Sequence, residues 1–376
     1  MSSMSFLEKL LDGVGVEWKA LGGVAKNLNS MRKPITSGLR DFGDIPYYGA
    51  SGIVDYVKDY IFDGDYLLVS EDGANLLARN TPIAFSISGK SWVNNHAHVL
   101  KFNTYVERRF VEIFLNSIDL TPYISGAAQP KLNQQNLNSI QIPIPPLNIQ
   151  AEIVRILDTF TELIAELIAE LIARKKQYNY YRDQLLSFEE GEVEWKTLGD
   201  LVDINTGSKP PEILESATNF DYINAGTSRS GYGAASNCEG DTVTTPSRGQ
   251  GGIGYVGYQR EPFWLGPLCY KLQSIDKTVL INKYLFYFLQ SRSELLLGLK
   301  KEGGVPAVNK SDLIKLEMPV PVLEVQQRIV AILDKFDALT NSITEGLPRE
   351  IELRQKQYEY YRDLLLSFPK PVEVVE

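Results

Sequence analysis

The segment Gln150–Phe160, QAEIVRILDTF, occurs a second time in the chain as Gln326–Phe336, QQRIVAILDKF. In both copies the apolar residues recur at steps of three and four, which is the spacing of one face of an α-helix. An internal repeat of this kind constrains the whole architecture of a chain. The repeat predicts that two related halves make up this protein.

Further repeated blocks flank this segment in the same order in both halves. They are Val16–Gly22 and Val193–Gly199 (VEWKALG and VEWKTLG), Ile142–Leu147 and Met318–Leu323 (IPIPPL and MPVPVL), Lys176–Asp183 and Lys356–Asp363, and Leu185–Phe188 and Leu365–Phe368. Between the blocks, residues 30–125 and 207–302 share only scattered matches. Two related scaffolds with divergent surfaces are what is needed to read two different targets with one framework.

The segments that connect these scaffolds are predicted to be long helices. Residues 148–187 contain no Pro or Gly, and at 1.5 Å per residue they would form a rod of roughly 60 Å. The second copy, residues 324–368, contains Gly346 and Pro348, which predicts a kink or break. A helix this apolar needs a partner in water, and the other copy, packed antiparallel as a coiled coil, is the simplest one.

A tetrapeptide repeat lies within the first helix, as Leu163–Glu166, Leu167–Glu170 and Leu171–Arg174. Three of its four positions are apolar, and four residues turn the helix by about 400°, so the apolar stripe drifts by only ~40° per unit. This wide face predicts contact with more than one neighbour. The tandem identity suggests a unit that can be gained or lost.

The composition indicates a folded protein of two or three domains. The 376 residues carry 38 Lys and Arg against 47 Asp and Glu, a net charge of −9, and 44% of them are hydrophobic. Two cysteines exclude a disulfide scaffold and fit a cytoplasmic location, and no apolar run is long enough to span a bilayer. The acidic balance argues against non-specific coating of nucleic acid but is compatible with local basic loops.

Outside the long helices the chain is predicted to be mixed α/β. The expected fold is α+β, with two pseudo-symmetric mixed α/β domains joined by two long antiparallel coiled-coil helices. Strands are predicted at residues 66–70, 83–87, 98–102, 242–245, 253–258 and 268–272, and one helix per half at 107–118 and 282–301.

Sequence motifs of catalysis are absent. The chain has no P-loop, no Gly-x-Ser-x-Gly and no Asn/Asp-Pro-Pro-aromatic motif of amino-methyltransferases. Gly252–Gly257 (GIGYVG) matches a dinucleotide fingerprint by letter, but no helix is predicted after it, so a glycine-rich loop is expected. His96 and His98 lack the further ligands of a zinc site, and Cys238 and Cys269 are similarly unsupported. No catalytic or metal site is therefore predicted.

Each half instead offers loops in which Lys or Arg is mixed with Asn, Gln, Ser and aromatic residues. Such side chains bond phosphates and base edges, so these loops are candidate DNA contacts. The candidates are Asn29, Arg32, Lys33, Lys90, Trp92, Asn94, Asn95, His96, Gln129 and Lys131 in the first half, and Ser208, Lys209, Ser247, Arg248, Gln250, Asn309 and Lys310 in the second. A solvated surface loop is the alternative for any one of them, and their paired occurrence in both halves favours binding.

Taken together, these features resemble the specificity subunit of type I DNA restriction–modification enzymes over essentially the full length. The resemblance rests on Gly126–Asp158 and Gly304–Asp334, which share Pro-x-Pro followed by Ile-Val-x-Ile-Leu-Asp, and on the helix ends with Tyr-x-Tyr-Tyr-Arg-Asp. The segment Phe6–Gly13 and the Leu-Ile-Ala-Glu repeats resemble the group called type IC.

By that resemblance, residues 1–147 and 190–323 are target-recognition domains, each reading one half of a bipartite, asymmetric site on double-stranded DNA. Residues 148–189 and 324–376 are spacer helices that fix the gap between the half-sites and dock two modification subunits. The residues expected to serve the spacer and docking are Leu163, Leu167, Leu171, Tyr178, Tyr181, Tyr358 and Tyr361.

The resemblance also implies what the partners supply. This chain would hold no cofactor, whereas modification subunits would bring S-adenosylmethionine and methylate adenine N6. Motor–endonuclease subunits, with ATP and Mg²⁺, would join for restriction. Three alternatives stay open at this point: a stand-alone enzyme with an unrecognised site, a structural adaptor that does not bind DNA, and the specificity subunit of a related phage-defence methyltransferase system.

Overall fold

The computed structural model describes residues 6–11, 13–126, 128–189, 191–216, 220–249, 251–301 and 303–369. The chain divides into two compact units, of which unit 1 consists of residues 1–166 and 351–376, and unit 2 of residues 167–350. The predicted boundaries separate recognition domains from helices. Each unit contains one mixed α/β domain together with parts of both long helical segments, and the boundaries between domains and helices stay a prediction.

Unit 1 is built on two four-stranded sheets. Its strands are β1 (Glu17–Ala20), β2 (Lys26–Asn27), β3 (Ile45–Gly49), β4 (Gly52–Val57), β5 (Phe62–Asp63), β6 (Tyr66–Ser70), β7 (Ala84–Ile87), β8 (Lys90–Val93), β9 (Ala97–Lys101) and β10 (Gln141–Ile144). Its helices are α1 (Phe6–Leu11), α2 (Leu21–Val24), α3 (Asn75–Ala78), α4 (Tyr105–Ser117) and α5 (Gln134–Ser139), and the long α6 (Leu147–Leu185) begins here. The sheets have the orders β2-β9-β6-β7, which is antiparallel, and β4-β3-β8-β5, in which β3 and β8 run parallel.

Unit 2 repeats this plan. Its strands are β11 (Glu194–Thr197), β12 (Val202–Thr206), β13 (Phe220–Ile223), β14 (Gly231–Gly233), β15 (Thr242–Pro246), β16 (Gly257–Gln259), β17 (Trp264–Leu265), β18 (Cys269–Ser274) and β19 (Glu317–Val320). Its helices are α7 (Leu198–Leu201), α8 (Asn282–Ser291), α9 (Ser293–Gly298), α10 (Lys310–Leu313) and α11 (Leu323–Asn341), followed by the start of α12 (Gly346–Leu365). The order β12-β18-β15-β16 matches the antiparallel sheet of unit 1, and the three-stranded sheet β14-β13-β17 corresponds to β4-β3-β8, including the parallel pair β13 and β17.

Two of the repeated sequence blocks pair with each other in each unit. Strand β1 is antiparallel to β10, and β11 to β19, and in both ribbons a Trp lies opposite a Pro. In unit 1 the Trp18 indole nitrogen donates a 2.9 Å hydrogen bond to the carbonyl oxygen of Pro369, just beyond the end of α12. The segment that follows α12 therefore lies beside the β1–β10 ribbon, and α6 begins directly after β10.

Each unit has its own hydrophobic core between the antiparallel sheet and one amphipathic helix. In unit 1, α4 begins at a capping box, because the Thr104 side chain accepts from the Glu107 amide and the Glu107 carboxylate accepts from the Thr104 amide. Helix α4 buries Phe110 against the sheet, and Leu157 of α6 completes this cluster. Helix α8 of unit 2 is placed in the same way, with Ile329 and Leu333 of α11 in its cluster.

The first long helix is continuous and the second is broken. Helix α6 has 39 residues, so the prediction of an uninterrupted helix is confirmed. In the second copy α11 ends at Asn341 and α12 begins at Gly346, which adopts a φ of +73°. A Cβ atom on Gly346 would lie 2.3 Å from the Ala338 carbonyl oxygen, so this turn requires glycine. The break predicted from Gly346 and Pro348 is thus confirmed.

The same contact between long helices forms in both units. In unit 1 the rings of Phe160 and Tyr361 stack with centroids 5.4 Å apart, and in unit 2 those of Phe336 and Tyr181 stack at 5.9 Å. Phe160 and Phe336 occupy one position of the repeat, and the two tyrosines occupy another. The helices therefore exchange roles between the units, and the predicted antiparallel coiled-coil pairing is confirmed.

The shorter elements agree with most of the predictions. Strands β6, β7, β9, β15 and β18 lie within two residues of the predicted runs. The run 253–258 was predicted as a strand, but its first residues form a turn and pairing begins only at Gly257. The helix predicted at 282–301 is interrupted at Arg292, whose φ and ψ of −121° and 37° are not helical.

Candidate nucleic-acid interface

Loops that are distant in sequence converge at the end of one central strand of each antiparallel sheet, β6 in unit 1 and β15 in unit 2. In unit 1 they are the residues after β6 and the segment around Lys131, and in unit 2 the residues after β15 and the segment around Ala307. The isolated bridges that join them are Asp72–Lys131 and Ser125–Lys131 in unit 1, and Arg248–Ala307 and Lys301–Ala307 in unit 2. The same junction thus occurs in both domains and carries different side chains.

The carboxylate of Glu71 is the charged centre of this junction in unit 1. It lies 2.6 Å from Arg32 Nη1 and 3.2 Å from Lys131 Nζ, and the Arg32 and Glu71 side chains are each 12% exposed. Burial raises the pKa of Glu71, but the hydrogen bond from Arg32 and the nearby positive charge outweigh it and hold the pKa below its usual value. Arg32 also donates to the carbonyl oxygens of Asn95 and Ala97. One ion pair therefore fixes several loops.

His98 lies beneath the junction and is fully buried. Its Nε2 is 2.7 Å from the Leu132 carbonyl oxygen, which can only accept, so Nε2 carries the proton and Nδ1 accepts from Asn29 Nδ2 at 2.8 Å. Burial lowers the pKa of His98, which favours this neutral form. At the corresponding place in unit 2, the Tyr270 hydroxyl donates to the Val308 carbonyl oxygen at 3.1 Å. The two domains thus make the same connection with different side chains.

Several candidate DNA contacts have internal roles instead. Asn94 and Ser247 are each 7% exposed, and the Asn94 Oδ1 accepts from the backbone amide of His96. Their burial leaves little of either side chain accessible, and direct contact of these two residues with DNA stays a prediction. Asn29 and Arg32 are half-buried and direct their donors to groups within unit 1, so they position the loops.

The other candidates lie on the surface of their units. Trp92 is half-buried, and its indole nitrogen donates to the Lys33 carbonyl oxygen at 2.6 Å, while Trp264 donates to that of Ser208 at 2.8 Å. Each tryptophan thereby fixes a loop that carries an exposed lysine. Gln250 lies outside the described residues. The exposed candidates are Lys33, Lys90, Asn95, His96, Gln129 and Lys131 in unit 1, and Ser208, Lys209, Arg248, Asn309 and Lys310 in unit 2.

Two of the tyrosines predicted to serve the spacer and docking pack in the cores. Tyr178 is 7% exposed and its ring lies 6.1 Å from that of Phe336, so it contributes to the packing between the long helices. Tyr358 is half-buried against the core of unit 1. These rings help to hold the helices together.

The neighbouring tyrosines are accessible. Tyr181 and Tyr361 are 43% and 38% exposed although their rings are stacked. Tyr180 and Tyr360, which the sequence did not single out, are 62% and 65% exposed. In each helix the adjacent pair meets edge to face, at 5.4 and 5.3 Å. The repeat thus presents an equivalent pair of tyrosines on each unit.

The tetrapeptide repeat of α6 is only partly covered. Leu163, Leu167 and Leu171 are half-buried, whereas Ile168 and Ile172 are 43% and 52% exposed. Apolar side chains one turn apart that face water are typical of surfaces that bind other proteins. The prediction that this wide face has more than one neighbour stays a prediction.

The sequence pattern of basic and amide residues, which are hydrogen-bond donors, did not point to the acidic residues of the junction. Glu71 and Asp72 follow directly after the buried strand β6, and Asp72 lies 2.9 Å from the His96 Nδ1. Two consecutive acids at the end of a buried strand were the available signal. Their role in organising basic neighbours becomes visible only once the loops are assembled.

The described residues contain no group of three or more His, Cys, Asp or Glu side chains placed to hold a metal ion. Cys238 and Cys269 are free thiols. Burial raises the pKa of the Cys269 thiol to about 12, which keeps it protonated and unreactive at neutral pH. Among the described residues, no helix is long and apolar enough to cross a membrane.

Comparisons with known proteins agree with this arrangement. A family model described as the type I restriction modification DNA specificity domain matches twice, at residues 14–174 and 190–353. The specificity subunit of the Escherichia coli type I restriction enzymes EcoR124I and EcoR124II is 38% identical over 421 aligned positions that cover 100% of both chains. The E. coli EcoprrI specificity subunit is 32% identical over 388 positions, covering 92% of this chain and 93% of its own.

A solved structure has the same fold. The S subunit of a type I restriction–modification system from M. genitalium matches with a TM-score of 0.67 over 96% of this chain and 98% of that one, at 16% identity. At that identity the match supports the fold alone. The two matches to the family model coincide with the two halves that the sequence repeat defined.

Proposed function

The chain belongs to the family of type I restriction–modification DNA specificity subunits, and we propose that each of its two recognition domains reads one half of a bipartite, asymmetric DNA site. One observation carries this proposal. The junctions at the ends of β6 and β15 share one backbone arrangement but present different side chains, Asp72 and Lys131 in one unit and Arg248 and Ala307 in the other. One framework with two different surfaces suits two different half-sites.

Within this proposal, the exposed cations of the junctions and of the two tryptophan-fixed loops are the DNA contacts. Lys33 and Lys131 in unit 1, and Lys209, Arg248 and Lys310 in unit 2, are cations whose side chains face solvent. Two of the loops are fixed by tryptophan hydrogen bonds and one by the Glu71 ion pair. Contacts held by a rigid support lose less conformational entropy on binding than free loops do.

The long helices are proposed to serve as the spacer and as the docking surface for two modification subunits. The accessible tyrosine pairs, Tyr180–Tyr181 and Tyr360–Tyr361, support this role because they occur at equivalent places on both units. Tyrosine is enriched at the centres of protein interfaces. Two equivalent surfaces on one chain suit two copies of one partner.

The chemistry is proposed to reside in those partners, in the cytoplasm. Modification subunits would bind S-adenosylmethionine and methylate adenine N6, and motor–endonuclease subunits would use ATP and Mg²⁺. The residues of this chain that are described here would contribute recognition and positioning only.

Methylome sequencing of a strain that carries this chain with its partner subunits tests the proposal. The expected result is one methylated motif with two specified parts separated by a fixed, unspecified gap. A chimera in which residues 30–125 come from a relative should change one part of the motif and leave the other unchanged. A chimera that changed both parts, or a contiguous wild-type motif, would contradict the assignment of one half-site to each domain.

A further inference from the structure

A carboxylate of the repeated helical segment is held by the recognition domain in unit 1. Asp158, on α6, accepts a 2.9 Å hydrogen bond from the Tyr105 hydroxyl and a 2.7 Å hydrogen bond from Arg109 Nε. Tyr105 and Arg109 lie one turn apart on α4, the helix packed against the sheet of the recognition domain. These bonds connect that domain to the long helix on which it packs.

The same repeat position is held in unit 2 by different residues. Asp334, on α11, occupies the place of Asp158 in the repeated segment. Its Oδ1 accepts from the Tyr287 hydroxyl at 2.5 Å and lies 3.4 Å from Lys283 Nζ. Lys283 and Tyr287 also lie one turn apart, on α8. The phenol precedes the cation in α4 and follows it in α8.

Both units thus hold the repeated carboxylate with a phenol and a cation, although the residues that supply these groups differ in position and type. Helices α4 and α8 belong to the divergent parts of the two halves, yet each offers one phenol and one cation to the repeated carboxylate. The Arg109 and Asp158 side chains are each 19% exposed, so their charge-assisted bond is stronger than an ion pair in open solvent. A packing contact alone would not require this chemistry in both halves.

We propose that Asp158 and Asp334 are positioning residues that lock each recognition domain to its long helix and thereby determine which gap between half-sites the protein accepts. The inference rests on the proposed function, because a fixed gap has meaning only if two domains read two half-sites. A domain that can rotate on its helix would accept half-sites at altered distance and helical phase. The locked orientation excludes those sites.

The test uses the complex assembled with its partner subunits and DNA duplexes that carry the wild-type motif with its own gap or with one base pair more or less. The measured quantity is the ratio of the initial methylation rates on the correct and altered gaps. Asp158→Asn is expected to lower this ratio about tenfold, the factor that corresponds to loss of one charge-assisted hydrogen bond. Both half-site sequences should stay as they are.

Matched variants separate positioning from general stability. Glu152→Gln removes a carboxylate from the same helix whose ion pair, in the part of the chain that the structure describes, is with the exposed Arg155, and it should keep the wild-type ratio. Tyr105→Phe removes a single hydroxyl from a residue that is 55% exposed, so it retains the fold and should lower the ratio in the same direction.

The possible outcomes separate a failure of the proposed function from a failure of the positioning role. If wild-type complex methylates all gaps equally, the proposed function fails. If wild-type discriminates but Asp158→Asn and Tyr105→Phe discriminate equally well, the positioning role fails. An equal loss of rate on every duplex would indicate a merely structural role and would also overturn the inference.

Discussion

At the scale of single residues, the proposed reading surface of unit 1 depends on a carboxylate, although a carboxylate does not itself attract DNA. Glu71 repels phosphate, yet it holds Arg32 and Lys131 and, through Arg32, the backbone around Asn95. Its benefit is geometric, because a fixed cation binds a phosphate with a smaller loss of side-chain entropy.

Replacing Glu71 by Gln should therefore destabilise the protein. The charge that balances the half-buried Arg32 is lost, and the free energy of unfolding should fall by about 2 kcal/mol, as expected for a hydrogen bond to a charged group. Urea unfolding followed by circular dichroism measures this change. Glu17→Gln, which affects the exposed pair with Lys19, is the control and should be indistinguishable from wild type. Equal stability of both variants would show that Glu71 has no organising role.

The buried His98 should make stability depend on pH. Its pKa is lowered by burial, so the unfolded chain binds the proton more readily than the folded one between the folded pKa and the ordinary value of 6.5. Stability should be fully present above pH 6.5 and should fall as the pH drops through that value. Melting temperatures at pH 7.5 and 5.5 measure the effect.

A variant of His98 tests this assignment. His98→Gln, which cannot titrate, should melt lower than wild type at pH 7.5 but lose less on acidification. The assignment would be refuted by a His98→Gln protein that loses as much stability on acidification as wild type.

Residue types indicated the reading loops but not the roles within them. Lys33 and Arg248 were predictable as exposed cations because solvated bases in loops need no tertiary partner. Asn94 and Ser247 fill the same sequence pattern and are buried, because burial depends on strands that pair from elsewhere in the chain. Glu71 was missed because its function exists only through residues 39 and 60 positions away, Arg32 and Lys131.

At the scale of elements, the spacing of apolar residues and the conformational preference of glycine were sufficient to predict the long helices and the break between α11 and α12. The continuous α6 and the break before Gly346 followed from local rules, since a helix interior excludes Pro and a left-handed turn favours Gly. The β1–β10 and β11–β19 ribbons were not predicted. Their sequence blocks were recognised as repeats, but pairing between distant short strands depends on tertiary packing that a four-residue run does not encode.

Deleting Leu167–Glu170 should shorten the gap between the half-sites by one or two base pairs. Four residues of helix correspond to about 6 Å and leave the rest of α6 rotated by only ~40°, which is close to the rise and twist of one or two base pairs. Methylome sequencing measures the gap directly. Both half-site sequences should be unchanged, because neither junction contains these residues.

Glu170→Gln is the control variant, because it leaves the length of α6 unchanged. It removes the ion pair between Glu170 and Arg174 within α6 without changing the number of residues, so it should keep the wild-type gap. A four-residue deletion that methylated the original motif with its original gap would show that α6 does not measure the spacing.

At the scale of the whole molecule, the net charge of −9 has to be reconciled with a DNA partner. The cations that face solvent at the junctions are few, and acidic side chains such as Glu71 and Asp72 stand beside them. Affinity for DNA grows with the number of phosphates that a protein neutralises. Much of that neutralisation should therefore come from the partner subunits of the assembled complex.

The isolated chain should consequently bind its own site weakly. At about 150 mM salt we expect its affinity for a duplex carrying the complete motif to be at least ~100-fold below that of the complex with modification subunits, and its dependence on salt concentration to be shallower, because fewer counterions are released. Fluorescence anisotropy over a salt series measures both quantities. A duplex with one scrambled half-site controls for non-specific binding. Equal affinity and equal salt slopes for the chain and the complex would mean that this chain neutralises the phosphates by itself. The inference that the partner subunits supply much of the phosphate neutralisation would then be wrong.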